Sequence, residues 1–308
     1  MTSTRLRMWV PAVVGACVMV VLLGRHVDWT LQHHSPDMQD AAITSDGPAG
    51  AERRGAFYSD AEIATDQEDW STKECSLMPF VGVMAIFDYI DTRTLPCDKP
   101  VMVGGQTHTH PGYFVGEKWV CMSPKFNIKF GDCLVYSFGI ERDFTFDDDM
   151  DQRFNCKVNA FDPTIKLQTH NRSENVQFFD LGISNVSGTL EGTDKKVDRY
   201  TNIVKMLGHE NVVIDYLKVD VEGYELPMFL DILNNTPNLL KNVKQIGMEV
   251  HLKEERNKHY WKMFQQLECL GFKVWFSEMN PVRTMWYQVG GKTRSCCYEI
   301  VWARDRQW

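Results

Sequence analysis

From Cys133 onward the chain repeats one unit: a short apolar run that stops on a glycine or an acid, followed by an amphipathic stretch. The runs are Cys133–Phe138, Lys157–Phe161, Val176–Phe179, Ile214–Val221, Val243–Val250, Phe272–Phe276 and Tyr298–Trp302. Between them, Asp147–Phe154, Tyr200–Leu207, the stretch opening at Pro227–Leu233, and Tyr260–Leu270 have helical spacing, and Gly208 and Gly271 act as stops. Gly188–Leu190 has the character of an added hairpin strand. Runs of four to eight residues bounded by turn residues predict strands. Strands alternating with helices bury both faces of a mostly parallel sheet, so the predicted class is α/β. No helix intervenes between the last two runs, which predicts an antiparallel hairpin at one edge.

The first part of the chain follows other rules. Met8–Gly24 carries no charge and is flanked by Arg5, Arg7 and Arg25. At 1.5 Å per residue it spans about 25 Å, enough for a thin bilayer. The arginines before it place the N-terminus on the cytosolic side. Residues 1–26 therefore read as a cytosolic tail and signal-anchor helix, with a cleaved signal peptide, and hence a secreted chain, as the alternative. Residues 27–70 lack apolar periodicity and read as a flexible stem. Residues 71–132 form an N-terminal extension of the domain, with a helix expected over Met78–Tyr89 and irregular structure held by disulfides after it. Residues 133–308 are the α/β domain.

Charge and cysteines bear on compartment and partner. The chain has net charge −8, and its first 26 residues hold three arginines and no acid, so the remainder carries −11. That balance excludes a partner bound through phosphate contacts, nucleic acid above all. Eight of the nine cysteines lie outside the apolar segment, and an even set in an oxidising compartment allows up to four disulfides. Asn171, Asn185 and Asn234 begin glycosylation sequons. No metal site is expected: there is no CxxC, and His108 and His110 have no third ligand nearby.

In an open α/β sheet, ligands bind beyond the carboxyl ends of the strands. The first run ends at Ser137-Phe138-Gly139, where glycine allows a tight turn close to a ligand. The second ends at Asp162, 23 residues later, a spacing suited to an acid that holds ribose hydroxyls. The fourth ends at Lys218-Val-Asp220-Val-Glu222-Gly223 and the fifth at Glu249-Val-His251.

The segments CLVYSFGI, VNAFDP, VQFFDLGISNVSG, LKVDVEGYE and QIGMEVH resemble those of class I S-adenosylmethionine-dependent methyltransferases. The likeness is to the FkbM type and to animal secretory-pathway methyltransferase-like proteins, of the methyltransferase-like protein twenty-four kind. It covers about 176 residues from Cys133 to Trp308, and LKVDVEGYE is its most specific part. It implies a Rossmann-like, seven-stranded sheet, mostly parallel with an antiparallel last strand. It also implies S-adenosylmethionine as cofactor, held by Ser137, Phe138, Gly139, Asp162, Gly182, Ile183 and Asp220. The acceptor would meet His251, Asp220 and Glu222, the candidate bases. The sequence departs from the pattern at SFGIERD, where Ser137 stands in place of an acid and no second glycine follows Gly139.

The expected activity is O-methylation of a glycan or other hydroxyl-bearing acceptor by a luminal domain anchored in the Golgi or endoplasmic reticulum membrane. Two alternatives stand beside it. The altered first motif is also what a catalytically inactive binding protein on this fold would have. Asp147-Asp148-Asp149 matches the DxD pattern of a type II Golgi glycosyltransferase, although acids at a helix start are also favoured by the helix dipole.

Overall fold

The computed structural model describes residues 76–107, 114–280 and 286–308. The apolar segment Met8–Gly24, the stem, and His108 and His110 lie outside these residues. No helix among the described residues is long and apolar enough to cross a membrane.

In chain order the elements are α1 (Val83–Asp91), β1 (Pro100–Val103), β2 (Gln106–Thr107), β3 (Phe114–Val115), β4 (Lys118–Cys121), β5 (Leu134–Phe138), α2 (Thr145–Phe154), β6 (Lys157–Phe161), β7 (His170–Asn171) and β8 (Val176–Phe179). There follow β9 (Gly182–Ile183), β10 (Gly188–Thr189), β11 (Lys196–Asp198), α3 (Tyr200–Met206), β12 (Ile214–Val219), α4 (Glu225–Asn235), β13 (Val243–His251), α5 (Asn257–Cys269), β14 (Phe272–Met279), β15 (Trp286–Val289), β16 (Lys292–Ser295) and β17 (Cys297–Arg304). Each of the seven predicted strands is present. The predicted helix over Met78–Tyr89 begins only at Val83, because Gly82, at φ 139°, is extended away from helical geometry.

The main sheet runs β14-β17-β13-β12-β5-β6-β8-β7. Strands β5, β6, β8, β12 and β13 pair in parallel, and β17 is antiparallel to both its neighbours. This is the expected Rossmann-like sheet with an antiparallel last strand, widened at one edge by the two-residue β7. The expected antiparallel pairing of the last two runs at one edge is present: β14, the edge strand, pairs antiparallel with β17. β17 inserts between β13 and β14, and the chain detours through the β15–β16 hairpin before it arrives there. The side chains of β17 explain the placement. Tyr298, Ile300 and Trp302 enter one hydrophobic core while Val301 and Ala303 enter the other. A strand apolar on both faces loses buried area at an edge, and Trp302 alone would expose a large ring there.

The residues before β5 pack on the sheet. Gln245 on β13 donates to the Cys121 carbonyl (2.8 Å) and accepts from its N–H (2.9 Å). The Tyr216 hydroxyl donates to the Trp119 carbonyl (2.9 Å). Disulfides Cys97–Cys121 and Cys133–Cys156 brace this region, the second joining the start of β5 to the start of β6. Cys269 is also disulfide-bonded. Cys296 and Cys297 are buried and not in disulfides, so the eight cysteines do not form four bridges.

Candidate functional site

The carboxyl ends of the parallel strands open into one cavity of about 1420 Å³. Its apolar floor, Phe138 and Phe161, is part of a cross-strand stack. Phe138, Phe161 and Phe179 end β5, β6 and β8 in register. Their rings lie 4.7 and 4.8 Å apart at interplanar angles of 20° and 13°. Neighbouring strands carry aromatic residues at matching positions, so the rings meet face to face on one side of the pleat.

Next to that stack the chain turns sharply at Gly139, with φ 82°. A Cβ there would sit 1.6 Å from the Asp220 carbonyl oxygen. The turn is fixed on three sides: Gly139 N–H donates to Phe161 O (3.0 Å), Asp220 N–H to Phe138 O (3.0 Å), and Lys218 Nζ to Gly139 O (2.6 Å). Asp162 anchors the following loop. One carboxylate oxygen accepts from the N–H groups of Ile140 (2.8 Å) and Glu141 (2.9 Å). The other accepts from the Thr164 N–H (2.7 Å) and hydroxyl (2.6 Å). A carboxylate has about four lone-pair sites, and the protein fills all four.

The cavity brings together Phe138, Gly139, Asp162, Gly182, Ile183, Asp220 and Glu222 from the sequence-derived set. Ser137 and His251 are not in its lining. Strand alternation accounts for Ser137: Phe138 faces the cavity, so its neighbour points through the sheet, where Ser137 is fully buried. His251 is 8% exposed and lies behind Glu249.

The opposite end of the cavity is acidic. Asp220, Glu249 and Glu299 bring carboxylate oxygens within 4.8 Å of one another. Lys118 Nζ reaches two of them, at 3.2 Å to Asp220 and 2.8 Å to Glu299. Burial disfavours the Lys118 charge, but Glu299 and Asp220 outweigh it and hold the ammonium firmly protonated. Burial alone would raise Asp220, but Lys118 and Lys218 hold it well below the usual carboxylate range. Glu249 is pushed up to about 8 by burial and by the charges on Asp220 and Glu299. Glu249, unlike Asp220, therefore holds a proton near neutral pH. Asn280 Nδ2 donates to its Oε1 at 2.8 Å. Lys118, Glu299 and Asn280 escaped the sequence reading, because each lies far along the chain from the strand-end motifs.

The aspartates of the DxD pattern do not line the cavity. Asp148 pairs with Arg172 and Asp149 with Arg153, at 2.7 and 2.9 Å. Asp147 is fully buried, beside Ser137 and Lys218. Burial pushes its carboxyl up to about 6, against the attraction of Lys218. A folded-state pKa raised from 3.8 means that stability is fully present below about pH 4 and is lost as pH rises through 6. Asp147→Asn cannot ionise, so it should raise unfolding free energy at pH 7.5 by about 1–3 kcal/mol and leave it unchanged at pH 4. Urea denaturation at the two pH values checks this, and an equal change at both would contradict it.

Comparison with known proteins places this geometry. The family model described as a methyltransferase domain matches residues 95–291, about two thirds of the chain, and so takes in β1–β4 and the main sheet except β17. A human protein named probable methyltransferase-like protein 24 is 24% identical over 210 residues, covering 65% of this chain and 51% of its own length. Its rat counterpart is 24% identical over 210 residues, covering 66% and 52%. This chain thus spans about half the length of the curated relatives it matches. A solved protein of the NADB-Rossmann superfamily from Streptococcus agalactiae is 13% identical, covering 61% of this chain and 70% of that one at a TM-score of 0.31. The chain belongs to the methyltransferase domain family.

Proposed function

We propose that the protein transfers a methyl group from S-adenosylmethionine to a hydroxyl-bearing acceptor, a glycan or a small molecule, inside the secretory pathway. The carrying observation is the charge of the cavity. Nine acidic side chains line it against three basic ones, so it favours a cationic sulfonium and disfavours an anionic acceptor. Its volume exceeds what a single drug-sized ligand needs and leaves room for cofactor and acceptor together. When bound, the cofactor supplies the activated methyl group, and the protein supplies alignment and electrostatics.

The Gly139 turn, closed against the Asp220 carbonyl, brings backbone into the cavity wall beside the aromatic floor formed by Phe138 and Phe161. Gly182 and Ile183 line the adjacent wall, suited to the flat face of an adenine. Asp162 holds the backbone of Ile140 and Glu141 in place and so shapes the loop that a ribose would meet. At the acidic end, Asp220 is anchored by Lys118 and Glu222 stands at the mouth, its side chain 59% exposed. Both face an incoming hydroxyl. Asp220 holds a proton poorly, so it orients the hydroxyl, while Glu249, with its higher affinity, is the better base once ionised.

The compartment rests on separate support. The two disulfides suit an oxidising lumen. Asn171, Asn185 and Asn234 are all exposed, as glycosylation requires. With residues 1–26 as anchor, the domain would face the lumen of the Golgi or endoplasmic reticulum.

Calorimetric titration of S-adenosylmethionine into the purified protein tests the reading. Saturable binding at one site is expected, weakened about 10- to 100-fold in Asp162→Ala, since losing a charged acceptor of four hydrogen bonds frees the turn. No heat at millimolar cofactor overturns the reading. Binding of a UDP-sugar with manganese in its place would favour glycosyl transfer.

A further inference from the structure

Behind Glu249, on the same face of the sheet, lie His251 and Cys297, which the proposed methyl transfer does not use. His251 pairs with Cys297 across β13 and β17, as Glu249 pairs with Glu299. Side chains two apart on a strand share a face, so these four form a square on adjacent strands. Glu249, His251 and Cys297 are all buried, and their carboxylate oxygen, imidazole nitrogen and thiol sulfur lie within 4.8 Å of one another.

The imidazole is oriented from behind. His251 Nδ1 lies 3.0 Å from Glu225 Oε1, an oxygen that also accepts from the Tyr260 hydroxyl (2.8 Å) and the His251 N–H (3.1 Å). The other oxygen of Glu225 accepts from Gly223 N–H at 2.7 Å. An ionised acceptor fixed in this way keeps the proton on Nδ1 and turns Nε2 toward Glu249 and Cys297. Nε2 is buried and has no hydrogen-bond partner. It lies 3.8 Å from Glu249 Oε2 and 3.4 Å from Glu222 Oε2. A carboxylate behind Nδ1 and an unbonded Nε2 facing oxygen and sulfur is the arrangement of a metal-ligating histidine. Glu222, Glu225 and Glu249 surround one imidazole and favour positive charge there, which a metal ion would supply in place of the ring proton.

We propose that Glu249 Oε2, His251 Nε2 and Cys297 Sγ bind a zinc ion, with Glu222 or solvent in the fourth position. A mixed oxygen, nitrogen and thiolate set suits zinc better than magnesium or calcium, which take oxygen alone. Bonds of 2.0–2.3 Å place tetrahedral ligand atoms ~3.3–3.8 Å apart, so the widest separation contracts by about 1 Å on binding. Glu249 Oε1 stays with Asn280 at the cavity wall, and the ion ties β13 to β17 beside the acidic end of the cavity. No motif spacing announced this site, since its ligands meet only through the β13–β17 register.

The test uses the full chain, loaded with zinc and freed of excess by gel filtration, with metal read by elemental mass spectrometry. One zinc per chain is expected, lost in both Cys297→Ser and His251→Asn with circular dichroism unchanged. Cobalt in place of zinc should give tetrahedral d–d bands and a thiolate-to-cobalt charge-transfer band in the wild type, a readout that needs no variant to fold. Absence of zinc after loading, equal zinc in wild type and both variants, or a cobalt spectrum without charge transfer overturns the site. None of these readouts involves methyl transfer, so failure of this site is distinguishable from failure of the proposed activity, with which it shares Glu249.

Discussion

Gly139→Ala is expected to destabilise the protein by about 4 kcal/mol or more and to abolish cofactor binding, a loss in the range reserved for named structural failures. Two costs combine. The residue sits at φ 82°, where an L side chain costs about 1–2 kcal/mol. Its Cβ would also meet the Asp220 carbonyl oxygen at 1.6 Å, so β5 and β12 must part at their ends. That carbonyl belongs to the backbone, and Asp220 is itself bonded to Phe138 and Lys118, so no flexible group can give way. Gly208→Ala separates the two costs, because Gly208 has φ 70° and a Cβ there would meet nothing within 4 Å. Urea denaturation should find Gly208→Ala reduced only by the conformational cost. If Gly139→Ala is no worse than Gly208→Ala, the close approach between the two strand ends is not as described.

Lys118→Met is expected to lower unfolding free energy by about 3–5 kcal/mol at pH 7.5, the usual cost of removing one member of a buried ion pair. Methionine keeps most of the volume, so the loss reports charge and not a cavity. The substitution leaves Asp220, Glu249 and Glu299 crowded with no ammonium between Asp220 and Glu299. Carboxylates in that position recover by taking up protons, so the deficit should shrink as pH falls. Adding Glu299→Gln should restore part of the loss, because the pair is coupled at 2.8 Å. Denaturation of the single and double variants at pH 5.5 and 7.5 checks this. A loss below about 1 kcal/mol, or one that is independent of pH, would mean that Lys118 is solvated and not the counter-ion of the cluster.

The part of the site that can be read from the chain is the part with local determinants. Phe138, Gly139, Asp162, Gly182 and Asp220 each stand where an apolar run breaks, and a break in pattern is visible without knowledge of the fold. Ser137 belongs to the same motif but not to the cavity, because neighbouring residues on a strand face opposite sides. Asp147 looks like a ligand in sequence, yet the first turn of α2 carries it into the interior. Lys118 lies 102 residues from Asp220 and 181 from Glu299, and nothing in its own surroundings marks it.

The alternation of strands and helices, the α/β class and the strand ends that build the cavity are all written in the order of residues. They depend on periodicity and turn residues over a few positions, where local sterics and burial decide. The entry of β17 between β13 and β14 is settled only in three dimensions, since a connection does not encode which gap its strand will fill. That choice follows from burying both faces of β17 at once. It sets Glu299 beside Glu249 and Cys297 beside His251, and so creates the acidic end of the cavity and the group behind it. Pairing register is a property of two strands together, and neither strand carries it alone.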